Sequence, residues 1–516
     1  MGDSLRPEPR PVALASVCAA VPELRPASSA VADLRVSGAT LDSRDVRPGD
    51  LYLALPGRVT HGALHAIEAV RQGAVAVVTD EEGGRLCAAL EVPVLVVPEP
   101  RVIAGPVAAA VHGWPARDLQ VVGITGTNGK TTITAMVESG FQAAGLRTGA
   151  IGTVGVHIAG RDLSGVRTTP EATDLQAILA VMRDERVQFA VMEVSSIALE
   201  EHRVDGFRYD VAAFTQLSQD HLDYHGDMET YYRAKARLFT PQHAAIGVVG
   251  VDDEYGRRLS REATIPVYTW SVHDPKADWR ARDIRSVPGG SAMRVAGPQQ
   301  EETIVHVPLP GDYNVANALC AFAVLRSCGV ESAAAARGLG SVQVPGRMQT
   351  VGRRVDDAGG PDIIGIVDYA HTPDAIGRAL DALRGSAPAR IIAVLGAGGD
   401  RDAQKRPLMG AAAAQGAEVV IVTDDNPRSE DPAAIRASVM AGARAARGGD
   451  TGLHDIGNRA AAISVAVDVA EPGDIIVVLG KGHEQGQEVA GVVTPFDDAV
   501  VLADALDDAR RIGTVE

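Results

Sequence analysis

The chain has 516 residues, 22% of them charged, and a formal charge of −17. That length exceeds one ordinary core and implies two to four domains. The acidity argues against a broad nucleic-acid surface, which needs clustered Lys and Arg, although local loops and helix N-termini can still hold phosphate. The first apolar stretch, RPVALASVCAAVPEL, is alanine-rich and follows Asp3 and Glu8. Those acids spoil the basic start of a secretory signal, and the stretch reads as a short first helix. No run approaches the ~18 apolar residues of a membrane span, so a cytoplasmic enzyme without membrane insertion is expected. Cys18, Cys87, Cys320 and Cys328 are scattered without a CxxC pair. Buried thiols fit them better than a disulfide framework or structural zinc.

Short apolar runs then recur, each followed by a turn and a helical pattern. They are 119–124, 188–194, 209–217, 363–367, 390–396, 418–424 and 474–480. Continuous apolar runs of this length predict strands buried on both faces, and the helices between them predict parallel sheets built from βαβ units. Segment 271–308 is polar and strand-like, as in a hairpin insertion, and AAAAQGA (411–417) reads as helix. Pro- and Gly-containing stretches at 112–120 and 340–351 serve as linkers. The expectation is an α/β fold of three domains: 1–117, 118–345 and 346–516.

Three stretches carry chemistry. In QVVGITGTNGKTTITAMV (120–137) a strand meets a glycine-spaced turn and then a helix. Glycines let the backbone approach an anion, and the helix N-terminus points N–H groups at it. Lys130 can reach outer phosphates, and Thr131 can place a hydroxyl on Mg²⁺. The spacing departs from the usual phosphate loop, whose first glycine would fall at Ile124. A plain glycine-rich turn is the alternative. In VMEVSS (191–196), Glu193 ends a buried strand, where a carboxylate can hold Mg²⁺ or cap the next turn. In LSQDHLDYHGDMETYYRAKARLF (217–239), His221, Asp223 and His225 follow another strand. A zinc reading of that spacing lacks a fourth ligand. Lys235, read from its residues alone, is a solvated helix lysine or an ion-pair partner.

GITGTNGKTT, MEVSS, DHLDYHGDMETYYRAKARLF, PGDYNVANALCA, PGRMQ, VDYAHTPDA, GAGGDRDAQKRPLMG, DDNPRSEDP and VLGKGHEQGQ occur in this order. Together with LDSRDVRPGDLYLALPGRVTHG (41–62), they resemble the Mur ligases of peptidoglycan precursor synthesis. The resemblance implies an N-terminal UDP-binding domain, a central phosphate-loop ATPase-like domain and a C-terminal Rossmann-like domain that binds the incoming amino acid. It implies that ATP phosphorylates the D-glutamyl side-chain carboxylate of UDP-N-acetylmuramoyl-L-Ala-D-Glu and that an amine then displaces phosphate. Positioning and charge neutralisation carry such a step.

Carried over by position, Gly126, Thr127, Asn128, Gly129, Lys130, Thr131 and Thr132 hold the ATP phosphates. Asn314, Arg347, Asp368 and His371 lie near the nucleotide. Thr131, Glu193, His221 and Lys235 serve Mg²⁺, with Lys235 matching a lysine that is carbamylated in the family. Lys130, Glu193, His221 and Lys235 form the implied catalytic set. Leu41, Ser43, Arg58, Val59 and Thr60 match UDP contacts. Thr168, Thr169, Ser195, Glu201 and Arg203 match contacts to the muramoyl peptide. Ile197 stands where the family usually has His, and Glu201 where some relatives have Gln.

DNPR, at Asp425 to Arg428, marks family members that add diaminopimelate, and lysine-adding members differ at the arginine. Diaminopimelate carries a second carboxylate, which a guanidinium fork suits. The stretch is also an Asx-Pro turn. Arg401, Asp425, Asn426, Pro427, Arg428, Gly480 and Glu484 match contacts to this amino acid. The partners implied are therefore small molecules: ATP, a UDP-muramoyl dipeptide and diaminopimelate, bound by a monomer. The alternatives are folylpolyglutamate synthase, a lysine-adding Mur ligase, or a nucleotide-regulated binding protein. The last would be expected to have lost Lys130, Glu193, His221 or Lys235, and all four are present.

Overall fold

The structure is a computed structural model that describes residues 5–25, 31, 33–57, 59–163, 167–287, 290–354, 362–384 and 389–513. It divides into two compact units. One comprises Met1–Arg282, Val295–Thr303 and Ala316–Leu339, and the other Asp283–Arg294, Ile304–Val315 and Gly340–Glu516.

Among the described residues the first unit contains a short strand pair, Val12–Ala13 with Arg35–Val36, and two larger sheets. In the N-terminal one, strands Gly38–Thr40, Asp50–Leu53, Ala76–Thr79 and Val94–Val96 run parallel in that order. The expected first helix is Leu14–Ala20, whose Leu14 and Val17 are buried in the core of this sheet. The larger sheet places Thr148–Gly152, Phe189–Glu193, Gln120–Thr125, Tyr209–Phe214, Ala244–Gly250 and Val267–Ser271 side by side, all parallel. Val121, Val122, Ile124, Val191 and Met192 have no exposed surface, which is why these runs are continuously apolar. The polar stretch after residue 271 does form strands, at Trp279–Val287, Gly290–Ala296 and Glu302–Val307.

The strand Gln120–Thr125 lies between a strand reached by one crossover and a strand reached by the opposite one. Such a switch point opens a crevice beyond the carboxyl ends of the strands. The turn 126–129 starts there, and helix Lys130–Ala143 leaves it with Ile133, Met136, Val137 and Phe141 buried. Each such side chain contributes roughly 1.5–3 kcal/mol when taken out of water, so packing fixes the helix that points at the crevice.

In the second unit the strand order is Gln349–Arg354, Ile363–Asp368, Ile475–Leu479, Ile391–Leu395, Val419–Val422 and Leu453–Asp455. The first pairs antiparallel and the others are parallel. The stretches 368–371, 396–401, 424–428 and 480–484 therefore all leave the same carboxyl edge. AAAAQG lies within helix Lys405–Gly416, as expected.

Candidate active site

The phosphate turn is held from behind by its neighbours. The Thr127 amide donates to the Gln216 carbonyl (2.8 Å), and its hydroxyl donates to the Ser218 carbonyl (3.1 Å). The Thr215 hydroxyl donates to the Asn128 carbonyl at 2.7 Å. Gly126 has φ +141°, and a Cβ there would run into the Thr215 hydroxyl, so the position requires glycine on both counts. Gly129, in the left-handed region, opens the helix. Thr131 and Thr132 lie in the helix's first turn and are buried. Lys130 folds back over its own turn, its amine donating to the carbonyls of Gly126 (3.0 Å) and Thr127 (2.9 Å).

Glu193 is buried at the end of its strand. Its carboxylate accepts from the Thr131 hydroxyl (3.1 Å), the Thr153 amide (2.8 Å) and the Thr153 hydroxyl (3.2 Å). Thr153 was not singled out in the sequence, because it reaches Glu193 from the end of an adjacent strand. Thr168 bonds to the Thr153 hydroxyl at 3.0 Å, and Thr169 donates to the Glu193 carbonyl at 2.9 Å. Ser195 caps the next helix by accepting from the Ala198 amide, so the capping role once open for Glu193 belongs to Ser195.

Lys235 is 1% exposed. Its amine donates to the Gly126 carbonyl at 2.9 Å and sits 4.7 Å from the centre of the Tyr231 ring. Burial first, and the nearby Lys130 charge second, push its pKa well below the usual lysine value. The solvated-lysine reading is thereby overturned: the helix turns this residue inward, beneath the phosphate turn.

The pair Thr131 and Glu193 presents hard oxygen donors beside a phosphate turn. Mg²⁺ usually takes one or two protein oxygens and completes its shell with phosphate and water, so these residues fit it. His221 has φ +52°, is about half exposed and lies 3.3 Å from Asp220. No contact joins it to Thr131 or Glu193 among the described residues. His225 is buried and bonded to Ser196 at 2.9 Å. Among the described residues no group of three or more His, Cys, Asp and Glu side chains could hold a metal ion, and the Asp223 side chain of the zinc reading lies outside them.

Arg203 lies 3.1 Å from Glu171, and Arg101 lies 3.5 Å from Glu171 and 3.3 Å from Glu201. Tyr224 donates to Glu201 at 2.9 Å. Glu201 is therefore a carboxylate with an arginine and a phenol on it. Ile197 is half-buried on the same short helix. In the N-terminal sheet, Leu41 and Ser43 follow the carboxyl end of strand Gly38–Thr40. Val59 and Thr60 lie in the loop after Asp50–Leu53, with Val59 99% exposed. Arg58 lies outside the described residues.

In the second unit, Asp425 and Asn426 are buried. Asn426 donates to Glu484 (2.8 Å) and accepts from Lys481 (3.1 Å), and Lys481 also lies 3.3 Å from Glu484. Sequence reasoning missed Lys481, although a lysine between two glycines at the end of a buried strand was a usable signal. Gly480 has φ +115°, and a Cβ there would stand 2.6 Å from Asp425 Oδ2. Arg428, also at positive φ (+51°), donates through Nη1 to the Gly399 carbonyl at 2.6 Å and lies 3.5 Å from Glu488. Pro427 turns the chain here, its carbonyl accepting from the Glu430 amide. Arg401 is exposed beside Gly398.

Asp368 accepts from the amides of Met348 (2.7 Å) and Ala370 (2.9 Å), and burial raises its pKa. Arg347 stacks 4.5 Å over Tyr369, and His371 is exposed with its ring 4.7 Å from that of Tyr369. Asn314 is buried, its amide donating to the Pro310 carbonyl at 2.8 Å. The four residues expected near the nucleotide from 314 onward belong to this unit.

A parallel α/β sheet whose switch point carries a phosphate turn, a buried hydroxyl–carboxylate pair and a desolvated lysine defines a nucleotide-using enzyme. Comparison with known proteins narrows the class. Residues 35–110 match the Mur ligase family catalytic domain, 124–325 the Mur ligase middle domain, and 346–482 the Mur ligase glutamate ligase domain. The chain is 50% identical over 481 residues to the UDP-N-acetylmuramoyl-L-alanyl-D-glutamate–2,6-diaminopimelate ligase of Streptomyces avermitilis, covering 93% of this chain and 94% of that one. A solved structure of a UDP-N-acetylmuramoyl-L-alanyl-D-glutamate–2,6-diaminopimelate ligase superposes with a TM-score of 0.69 at 32% identity, covering 97% of this chain and 99% of that one. Mycobacterium tuberculosis folylpolyglutamate synthase, solved with ADP, covers 73% of this chain and 91% of its own at 21% identity and a TM-score of 0.58, a likeness of fold alone. The chain belongs to the Mur ligase family and is an ATP-dependent ligase.

Proposed function

We propose that this enzyme joins diaminopimelate to the D-glutamyl side-chain carboxylate of UDP-N-acetylmuramoyl-L-Ala-D-Glu, at the expense of ATP, in peptidoglycan precursor synthesis. The observation that carries the choice of amino acid is the placement of Arg428. Its guanidinium stands at the carboxyl edge of a parallel sheet, on the turn that also carries buried Asp425 and Asn426. A guanidinium fork for the far carboxylate beside acidic and amide groups for the ammonium suits diaminopimelate and leaves lysine one partner short. Arg401, Pro427, Gly480 and Glu484 complete that site in this reading.

The three domains are taken as 1–117, 118–345 and 346–516. The turn Gly126 to Thr132 cradles the ATP phosphates, and Lys130 swings from its two carbonyls to the terminal phosphate. Asn314, Arg347, Asp368 and His371 serve the rest of the nucleotide. Thr131 and Glu193 would hold Mg²⁺, which would supply charge neutralisation for the phosphates and the substrate carboxylate. The carboxylate attacks the terminal phosphorus, giving an acyl phosphate and ADP. The amine then attacks the acyl carbon, loses a proton, and phosphate departs. Lys235 is read as a carbamate: its desolvated neutral amine adds CO₂ and releases a proton, turning an amine into a carboxylate near Gly126. His221 is read as joining this set when substrates are bound.

Leu41, Ser43, Arg58, Val59 and Thr60 hold the UDP end. Thr168, Thr169, Ser195, Glu201 and Arg203 hold the muramoyl peptide. No described helix is long and apolar enough to cross a membrane, and the enzyme is read as a cytoplasmic monomer. ADP release in the presence of the UDP-muramoyl dipeptide tests the proposal. Diaminopimelate, in its meso or LL form, is expected to support turnover far better than L-lysine. Lysine as the best substrate would overturn the Arg428 argument, and release independent of any amino acid would overturn the acyl-acceptor role.

A further inference from the structure

Arg459 and Asp498 are the most deeply buried ion pair among the described residues, each side chain with no exposed surface. Neither belongs to any motif of the site. Arg459 opens helix Arg459–Asp468, and Asp498 opens helix Asp498–Gly513. Two parallel bonds of 2.7 Å, from Nε and Nη2, join the guanidinium to the carboxylate. Two further hydrogens of the fork go to backbone. Nη2 donates to the Leu479 carbonyl at 3.0 Å, and Nη1 reaches the Asp424 carbonyl at 3.4 Å.

Those two carbonyls are informative. Leu479 is the last residue before Gly480, and Asp424 the last before Asp425. Leu479 ends strand Ile475–Leu479 and Asp424 lies just after Val419–Val422, two strands that do not pair with each other but lie on either side of Ile391–Leu395. One planar group thus bridges the carboxyl ends of two strands across the strand between them. It sits beneath the two turns that supply Asp425, Asn426, Arg428, Gly480 and Glu484. Burial works against its charge, but Asp498, with Asp425 and Glu484 beyond it, more than offsets this and keeps its pKa above the usual arginine value.

We infer that Arg459 is a positioning residue for the incoming amino acid, setting the spacing between the Asp425–Arg428 turn and the Gly480–Glu484 turn through its bonds to the Asp424 and Leu479 carbonyls. The inference rests on the amino-acid site proposed above. A lysine in its place keeps the charge but cannot hold both oxygens of Asp498 and two carbonyls at once, since its donors are not arranged as a planar fork. The spacing is then free to drift by the ångström or so on which binding depends.

The test uses the full chain and steady-state ADP release. Arg459→Lys is expected to raise the KM for diaminopimelate on the order of tenfold while the KM for ATP stays within about twofold. Breaking one half of a buried pair can unfold a protein, so a second variant, Arg459→Met with Asp498→Leu, removes both charges at similar volume. It is expected to show the same split between the two KM values with a cooperative thermal transition retained. Arg428→Ala serves as the control for the site itself. If Arg428→Ala raises the diaminopimelate KM and the Arg459 variants leave it unchanged, the inference fails and the site stands. Equal rises in the KM for ATP and diaminopimelate would mark Arg459 as purely structural and also overturn it. If Arg428→Ala leaves the diaminopimelate KM unchanged, the proposed site is wrong and the inference falls with it.

Discussion

Lys235 shows how a single residue changes meaning with its surroundings. An exposed lysine stays protonated near pH 7 and does not react with CO₂. Here burial and the neighbouring Lys130 favour the neutral amine. Lys235→Arg places a permanent cation at the position and cannot form a carbamate, because arginine is not deprotonated in proteins. Turnover is expected to fall by roughly 10²-fold or more, the scale of losing a preorganised charge at a reacting phosphate, with circular dichroism unchanged. Retention of parental turnover would remove the carbamate from the reaction. Glu193→Gln is a second test at this scale. The amide keeps an acceptor for Thr131 and Thr153 but loses the charge, so the Mg²⁺ concentration for half-maximal turnover is expected to rise about tenfold or more. An unchanged Mg²⁺ requirement would remove Glu193 from the metal.

At the scale of elements, the phosphate turn depends on backbone shape more than on side chains. Gly126→Ala places a methyl group against the Thr215 hydroxyl at φ +141°. The backbone term alone costs on the order of 1–3 kcal/mol. The turn would relax away from the geometry that presents its amides, and the KM for ATP is expected to rise about tenfold or more while the KM for diaminopimelate changes little. The reverse pattern would mean that the turn does not serve ATP. This element was legible in the sequence because glycines, lysine and hydroxyls are contiguous there. The buried strands were legible too, since Val121, Val191, Ile392 and Ile476 belong to continuous apolar runs. Thr153 and Arg459 were not placed, because each meets its partners only after separate strands align at a sheet edge. His221 was legible as a motif residue, but its side chain turns to Asp220 rather than to the Thr131–Glu193 pair.

At the scale of the whole molecule, acid sensitivity follows from one buried histidine. His112 ends helix Pro100–Val111, and its carbonyl accepts from Arg183 of helix Ala172–Asp184 at 2.7 Å. Burial, then the charges of Arg6 and Arg183, lower its pKa to about 4. The folded-state value lies below that of the unfolded chain, so the unfolded chain takes up the proton first as pH falls. This contribution is intact above about pH 6.5 and is lost as pH drops toward 4, reaching about 2 kcal/mol by pH 5. The urea midpoint is expected to fall between pH 7.5 and pH 5, with a shallower fall in His112→Gln. Identical falls in both proteins would clear His112 of the effect.

Taken alone, the sequence determined the strand and helix pattern, the parallel sheets, the phosphate turn and the family. Each of these is written in neighbouring residues, through apolar periodicity or glycine spacing, or in an ordered run of motifs. Only the tertiary structure decided that Lys235 is buried against Gly126, that Thr131 and Thr153 share Glu193, and that Arg459 spans two strand ends. Desolvation and hydrogen bonding between distant segments depend on which strands become neighbours. That pairing is settled by packing over the whole sheet, and no local pattern in the chain records it.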